Sequence, residues 1–555
     1  LFDEIRYFVT RPLIHPIFSA VHPISPFQAN VTSILIQQTH FLNLYHPKMR
    51  NVTLIALLLI LSVRCLPQSP SLFPADKRAR IDSMINIWND HGIFNGGVAI
   101  VQNGDVVYRR SAGYANFETG ALNTDTTHFN LASVSKPFTA IAVLQLVHKN
   151  KLKLNHALVE YLPDFPYPDV TIEQLLSHTS GLPEADQFEK PNIAAHPAEI
   201  LSNRKIYEDL VALKPPPLAA AGGKHFYNNL NFILLAILVE KVTRIPFAGY
   251  MQRNVFRKAG MKNTYIRECI SPNTARYFLP TFYDTAFRHV DSFTNRKIYT
   301  DYPLGGTQGD NNVISTLQDM ALFSNALNSG KLLPPQLVKQ MYQPVKLANG
   351  TPFFTGGSKT YTLGWNVNEK NAAGQFAVWH DGSLVGLTTI FFRNLTDGIT
   401  YVMYENRNVP DFFRRFLAIS NVMDGKKPSA VPLQKSLVRE YGVRLVREGA
   451  HQAACRFNEL KTDPGWYFYE HEMNELGYQL LLKSGFENHV ELALEVFRIN
   501  TLLFPGSANA YDSYGEALMA AGLNTEAISM YKKSLGLNPR NEAAKRNLAK
   551  LSGIK

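Results

Sequence analysis

The chain has 555 residues, 45% hydrophobic and 18% charged, a globular composition with length enough for more than one domain. Its three cysteines, Cys65, Cys269 and Cys455, exclude a disulfide-rich scaffold and a four-cysteine zinc site, and with no HExxH stretch neither a metal nor another cofactor is expected. The formal charge of +11 is spread without a dense Lys/Arg run among aromatics, which reads as a solvated surface and gives no expectation of nucleic acid as a partner.

Residues 1–48 precede the first methionine and read as upstream translation without a fold of their own. Met49 opens a basic start, an apolar run from Val52 to Val63 and then a polar, Pro-containing stretch. Over residues 49–68 that is signal-peptide anatomy, and cleavage near Ser69 would export the rest to the periplasm or the extracellular space. The run is shorter than the ~20 residues that cross a bilayer, so no transmembrane span is expected in the mature chain. Arg64 stands before Cys65 where a lipid-anchored cysteine normally has a small residue, which disfavours lipidation there.

Globular patterning begins near residue 77. "IDSMINIWNDHG" reads as an amphipathic helix, and "GGVAIVQNGDVVYRRSAGYA" as a hairpin through Asn103-Gly104-Asp105. "LASVSKPFTA" then runs into an apolar helix. The middle of the chain mixes helices ("TIEQLLSH", "NFILLAILVEKVT", "STLQDMALFSNALNSG") with Pro- and Gly-rich loops. Strand patterns return in "YTLGWNV", "QFAVWHDG", "LTTIFFRNL" and "ITYVMYEN". Helices bracketed by strands predict an α+β fold whose antiparallel sheet is closed by N- and C-terminal strands, over residues 77–423. Residues 424–433 read as a linker. From 434 to 553 the pattern is helical, and Pro505/Pro539, Ala493/Ala527 and Phe497/Tyr531 share a 34-residue offset, the tetratricopeptide period. Such repeats stack helix pairs into a surface that takes a protein partner.

Three short motifs carry possible chemistry. Ser133 and Lys136 stand three apart, on one face of a helix, whereas Ser135 faces away from the lysine. Pro137 is tolerated only in a first helical turn, so the helix begins close to Ser133 and turns its free N–H groups and positive dipole end toward it. That placement suits a nucleophile activated by a nearby base, and it equally suits a plain N-cap. Tyr227-Asn228-Asn229 precedes an apolar helix; a phenol near an ammonium and an amide two residues on could serve proton transfer and substrate binding, or simply core packing and capping. His380-Asp381-Gly382 is expected to end a strand, with Gly382 admitting a substrate backbone and Ser383 offering an N–H.

The order Ser-x-x-Lys, Tyr-x-Asn, His-x-Gly, with "LLSHTSGLP" and "GGTQGDNNVISTLQDMALF" between, resembles the serine beta-lactamase and penicillin-binding-protein superfamily, in the branch related to class C beta-lactamases. The resemblance implies a beta-lactamase-like antiparallel sheet flanked by helices plus an all-helical part. It implies Ser133 as acylated nucleophile, Lys136 and Tyr227 sharing the general-base work, and Asn229 positioning Lys136 or a substrate amide. The N–H groups of Ser133 and Ser383 would hold the oxyanion. Class C beta-lactamases carry Lys-Thr-Gly where this chain has His380-x-Gly382, and a neutral imidazole holds a carboxylate less firmly than a lysine. The expected function is therefore an exported serine hydrolase acting on an ester, small peptide or D-amino-acid amide. A beta-lactamase or D-Ala-D-Ala carboxypeptidase is one alternative, and a binding protein acting mainly through its helical repeats is the other.

Overall fold

The computed structural model describes residues 73–551, apart from 117–118, 196–200, 268–277, 281–288, 292–305, 372, 385, 408–410 and 484–486. The upstream residues, the expected signal peptide, Cys65 and Cys269 lie outside the described residues. Cys455 is exposed and carries a free thiol.

Helix α1 (Ala75–Asp90) turns Ile81, Ile85 and Trp88 inward. Strands β1 (Gly96–Gln102) and β2 (Asp105–Ala112) then form the expected hairpin. Asn103 and Gly104 sit at φ 51° and 97°, the consecutive left-handed positions a tight hairpin turn needs. Helix α2 (Ser135–His148) buries every residue from Ser135 to Leu146, and α3 (Asn229–Thr243) nearly all of its first eleven. Helices apolar around their whole circumference belong in a core, not at a surface. Helix α4 (Leu317–Asn328) is capped by the Thr316 side chain, which accepts from the Asp319 N–H.

The remaining strands are β3 (Lys359–Tyr361), β4 (Asn366–Asn368), β5 (Ala377–Leu384), β6 (Leu387–Asn394) and β7 (Ile399–Glu405), followed by α5 (Phe412–Met423). "YTLGWNV" does not form the single strand expected of it. Gly364 turns at φ 84° between β3 and β4, and a Cβ there would lie 2.7 Å from the Ala140 Cβ of α2. The seven-stranded sheet runs β3-β4-β5-β6-β7-β1-β2, antiparallel at each pairing. N- and C-terminal strands meet within it, β7 lying between β6 and β1, with Gly96 opposite Glu405.

Side chains alternate across this sheet with period two. Ala99, Val402 and Tyr404 join the core shared with α2, α3 and α4; Val98, Ile100, Tyr401 and Met403 face the other way, under α1 and α5. Helix α5 is clamped by Arg415, whose Nε and Nη2 donate to the two Glu405 oxygens at 2.7 and 2.6 Å, both side chains 1% exposed. Burial alone would hold the Glu405 carboxyl up; the guanidinium opposes that. Arg415→Met leaves a buried charge without its fork, so a loss of about 3–5 kcal/mol is expected in urea unfolding, with partial recovery on adding Glu405→Gln.

After residues 427–434, which lack regular structure, the chain is helical. A short strand β8 (Lys435–Ser436) pairs in parallel with β9 (Trp466–Tyr467). Around them stand α6 (Leu437–Glu448), α7 (Ala450–Leu460), α8 (Glu470–Lys483), α9 (His489–Leu503), α10 (Ala508–Ala520), α11 (Asn524–Leu537) and α12 (Glu542–Leu551). Gly477 of α8 and Gly515 of α10 each take an aromatic ring, Phe497 and Tyr531, so closely that a Cβ would lie 2.6 and 2.8 Å from it. Among the described residues no helix is long and apolar enough to cross a membrane.

Candidate active site

The turn that carries Ser133 is strained and held. Ala132, a non-glycine residue, sits at φ 48°, a conformation costing about 1–3 kcal/mol. Its N–H donates to Asn130 Oδ1 at 2.7 Å, and Thr389 of β6 donates to the Leu131 carbonyl at 2.9 Å. Asn130 is itself fixed by Asn312, which donates to the Thr307 carbonyl. A 3-10 turn over Ala132–Val134 then leads into α2. Pro137 falls in the first turn of α2, as expected, and the Ser133 amide belongs to the turn before it, where N–H groups lack intrahelical acceptors. Ser135 is turned away: its Oγ is buried and accepts from the Val313 N–H at 3.1 Å.

Lys136 is wholly buried and donates to Ser133 Oγ at 3.0 Å, Asn229 Oδ1 at 2.8 Å and the Asp310 carbonyl at 3.0 Å. Three acceptors saturate an ammonium. Burial lowers its pKa to about 8, against the pull of the Asp310, Glu189 and Asp381 carboxylates. An amine so tuned reaches its neutral form near physiological pH and can then take the serine proton.

Asn228 and Asn229 divide two tasks. Asn228 caps α3, accepting from the Leu230 N–H at 2.9 Å and donating to the Leu182 and Pro183 carbonyls. That frees Asn229 to meet Lys136. The Tyr227 ring centroid lies 4.8 Å from Lys136 Nζ, and the residue keeps 44% of its surface open to the site. Desolvation around the hydroxyl holds the phenol well above its ordinary pKa, opposed by its hydrogen bond with Ser133 and reinforced by Asp310 and Asp381. The phenol is thus protonated.

His380 stands at the middle of β5 rather than at its end, and Gly382 and Ser383 lie in its second half. Strand β4 pairs only with Ala377–Trp379, so His380–Leu384 pair with β6 alone among the described strands. Both His380 nitrogens are engaged: Nδ1 donates to the Asp381 carbonyl at 2.6 Å, and Nε2 accepts from the Tyr361 hydroxyl at 3.0 Å. Desolvation, then Lys136, lowers its pKa to about 3, so the ring is neutral. The face on which a Cβ of Gly382 would stand is filled by the chain itself. A Cβ there would lie 2.6 Å from the Leu131 carbonyl and 2.8 Å from Ser133 N. Ser383 is exposed, opposite Thr388.

Three further groups border the cluster. The Asp310 carboxylate is buried beside Lys136, with Oδ2 taken by Asn311 and Oδ1 without a partner among the described residues. His178 accepts at Nδ1 from the Asn228 N–H and from Asn231, and its ring packs 4.3 Å from that of Tyr227. Tyr361 stands edge-on to His380. "SHTSG" and "GDNN" held the first two in plain view, but isolated His and Asp residues carry no spacing signal. Among the described residues no cluster suited to a metal occurs.

The Beta-lactamase family matches residues 80–422. A penicillin-binding protein of Bacillus subtilis (strain 168) is 29% identical over 343 residues, covering 60% of this chain and 72% of its own. Esterase EstB of Burkholderia gladioli is 32% identical over 228 residues, 39% of this chain and 57% of its own. Among solved structures, D-amino acid amidase from Ochrobactrum anthropi SV3 shares the fold with a TM-score of 0.54 at 20% identity, covering 63% of this chain and 99% of that one. With the antiparallel sheet, the central buried helices and a match spanning more than half its length, this chain belongs to the Beta-lactamase family of serine hydrolases and penicillin-binding proteins.

Proposed function

We propose that this chain is a serine hydrolase that works through an acyl-enzyme on Ser133. The observation that carries the reading is the buried Lys136 amine, in contact with both Ser133 Oγ and Asn229 Oδ1. Neutral Lys136 takes the Ser133 proton as Oγ adds to the acyl carbon. The oxyanion is held by the N–H groups of Ser133 and Ser383. As the C–O or C–N bond breaks, the Tyr227 hydroxyl gives its proton to the leaving alcohol or amine and is reprotonated by the Lys136 ammonium. Water then repeats the sequence and frees the acid. The motifs alone would have Lys136 and Tyr227 share the base role; the opposite directions of their shifts favour the amine as base and the phenol as donor.

The substrate is an ester or a D-amino-acid amide, the chemistry named for two of the relatives, and not a beta-lactam. A beta-lactam or D-Ala-D-Ala terminus presents a carboxylate, and the His380 ring is neutral with both nitrogens occupied. The recurring glycine–aromatic contacts at Gly477/Phe497 and Gly515/Tyr531, on helix pairs, support tetratricopeptide-like repeats and a protein partner for residues 434–553. The leader sequence supports export.

A fluorophosphonate probe should label the full chain on the peptide containing Ser133, and Ser133→Ala should take no label. On a panel, p-nitrophenyl butyrate and D-phenylalaninamide should turn over at least about a hundredfold faster than nitrocefin. Label elsewhere, or undiminished turnover by Ser133→Ala, would refute the mechanism; fast nitrocefin turnover would refute only the substrate class.

A further inference from the structure

We propose that a cavity of about 550 Å³, lined by Arg407, Arg439, Trp466, Tyr467, Glu472 and Glu475, binds a small zwitterion with an apolar side chain, a free amino acid or dipeptide. It lies where the end of the sheet meets the first C-terminal helices, and the inference is independent of the chemistry at Ser133.

Arg407 and Arg439 bring positive charge to the lining. Arg407 follows β7 and spends Nη1 on the Gly92 carbonyl, while its Nε is buried without a hydrogen-bond partner among the described residues. The Glu405 carboxylate it feels is already gripped by both nitrogens of Arg415. Arg439 of α6 brings a second positive charge close enough to oppose the first, and burial with that repulsion lowers the Arg407 pKa to about 10. Two guanidiniums drawn together in a half-buried space suit a carboxylate, which accepts from both.

Glu472 and Glu475 bring negative charge to the same lining. Glu472 and Glu475 lie three apart on α8, facing one another across one helical turn. Burial, then the neighbouring Glu475, raises Glu472 to about 7, and its Oε2 is buried without a partner among the described residues. Tyr467 is hydrogen-bonded to Glu472 and lies within the field of Arg407, and with Trp466 supplies aromatic surface to the lining. A ligand carrying both signs can meet Arg407 Nε and Glu472 Oε2, each buried without a hydrogen-bond partner among the described residues. The volume lies within the ordinary range of small-molecule sites, roughly 300–1,000 Å³.

The test is calorimetric titration of the full chain, carrying Ser133→Ala so that no probe is consumed, with glycyl-phenylalanine, its C-terminal amide and its N-acetyl derivative. Saturable binding of the free dipeptide is expected, weakened at least about tenfold in both derivatives and in both Arg407→Met and Glu472→Gln. Glu472→Gln keeps the side-chain size, so the comparison stands even where Arg407→Met folds poorly. No saturable binding, an amide that binds as well as the free acid, or affinity that Glu472→Gln leaves unchanged would each overturn the proposal.

Discussion

Lys136→Met is expected to lower kcat/KM for an ester by about a thousandfold while leaving a folded protein. Methionine is unbranched and of similar reach, so it fills the channel from α2 toward Ser133 but offers no lone pair to take a proton. Asn229 Oδ1 and the Asp310 carbonyl lose their donor, so a stability cost of about 1–3 kcal/mol should accompany the loss of activity. The parent enzyme's pH profile supplies the sharper check. Only the neutral amine accepts a proton, and burial has brought Lys136 to about 8, so activity should climb as pH rises through that value. At pH 7 roughly a tenth of such amines are neutral. The residual activity of Lys136→Met should lack this limb. A variant that keeps both the rate and the limb would show that the base lies elsewhere.

Gly382→Val should cost at least about a hundredfold in kcat/KM, for a reason unrelated to strand formation. Valine is a better strand residue than glycine, so β5 itself should form. The new side chain would meet the Leu131 carbonyl, the Ala132 Cβ and Ser133 N at 2.6–2.8 Å, and these atoms belong to a turn already strained at Ala132. Either the turn shifts or β5 does, and a displacement of about 1 Å at a nucleophile can cost that factor. Overpacking adds about 1–3 kcal/mol of destabilisation. Steady-state kinetics beside urea unfolding separates the two effects. Activity within threefold of the parent would mean that the close approach has no bearing on the serine.

The elements that local chemistry dictates were legible in the sequence: the Asn103-Gly104 hairpin, the buried helix behind Pro137, and the return to strands near residue 360, although as five strands rather than four. Spacing also singled out Ser133 over Ser135, and the hydrogen bond from Val313 to Ser135 gives the second serine a structural task. What escaped depends on contacts between distant segments. Gly364 splits "YTLGWNV" because α2 passes close to it, and Gly382 is small because the Ser133 turn is there. Neither neighbour is visible within a strand-length window. The His380 protonation state could be anticipated from its ordinary pKa, but the loss of both ring nitrogens to Tyr361 and a backbone carbonyl could not.

The closure of the sheet has a kinetic side. Asn95 hydrogen-bonds Asn406, 311 positions later, and β1 waits for β7 to join it to the rest of the sheet. The entropy of closing so long a loop must be met before any of those contacts form, which makes folding slow and its intermediates exposed. During synthesis the β1–β2 hairpin therefore emerges with one edge unpaired and stays so until nearly the whole hydrolase region has been made. A chain ending anywhere before residue 399 lacks the strand that joins its N-terminal hairpin to the rest of the sheet, and its natural fate is association rather than a smaller folded domain.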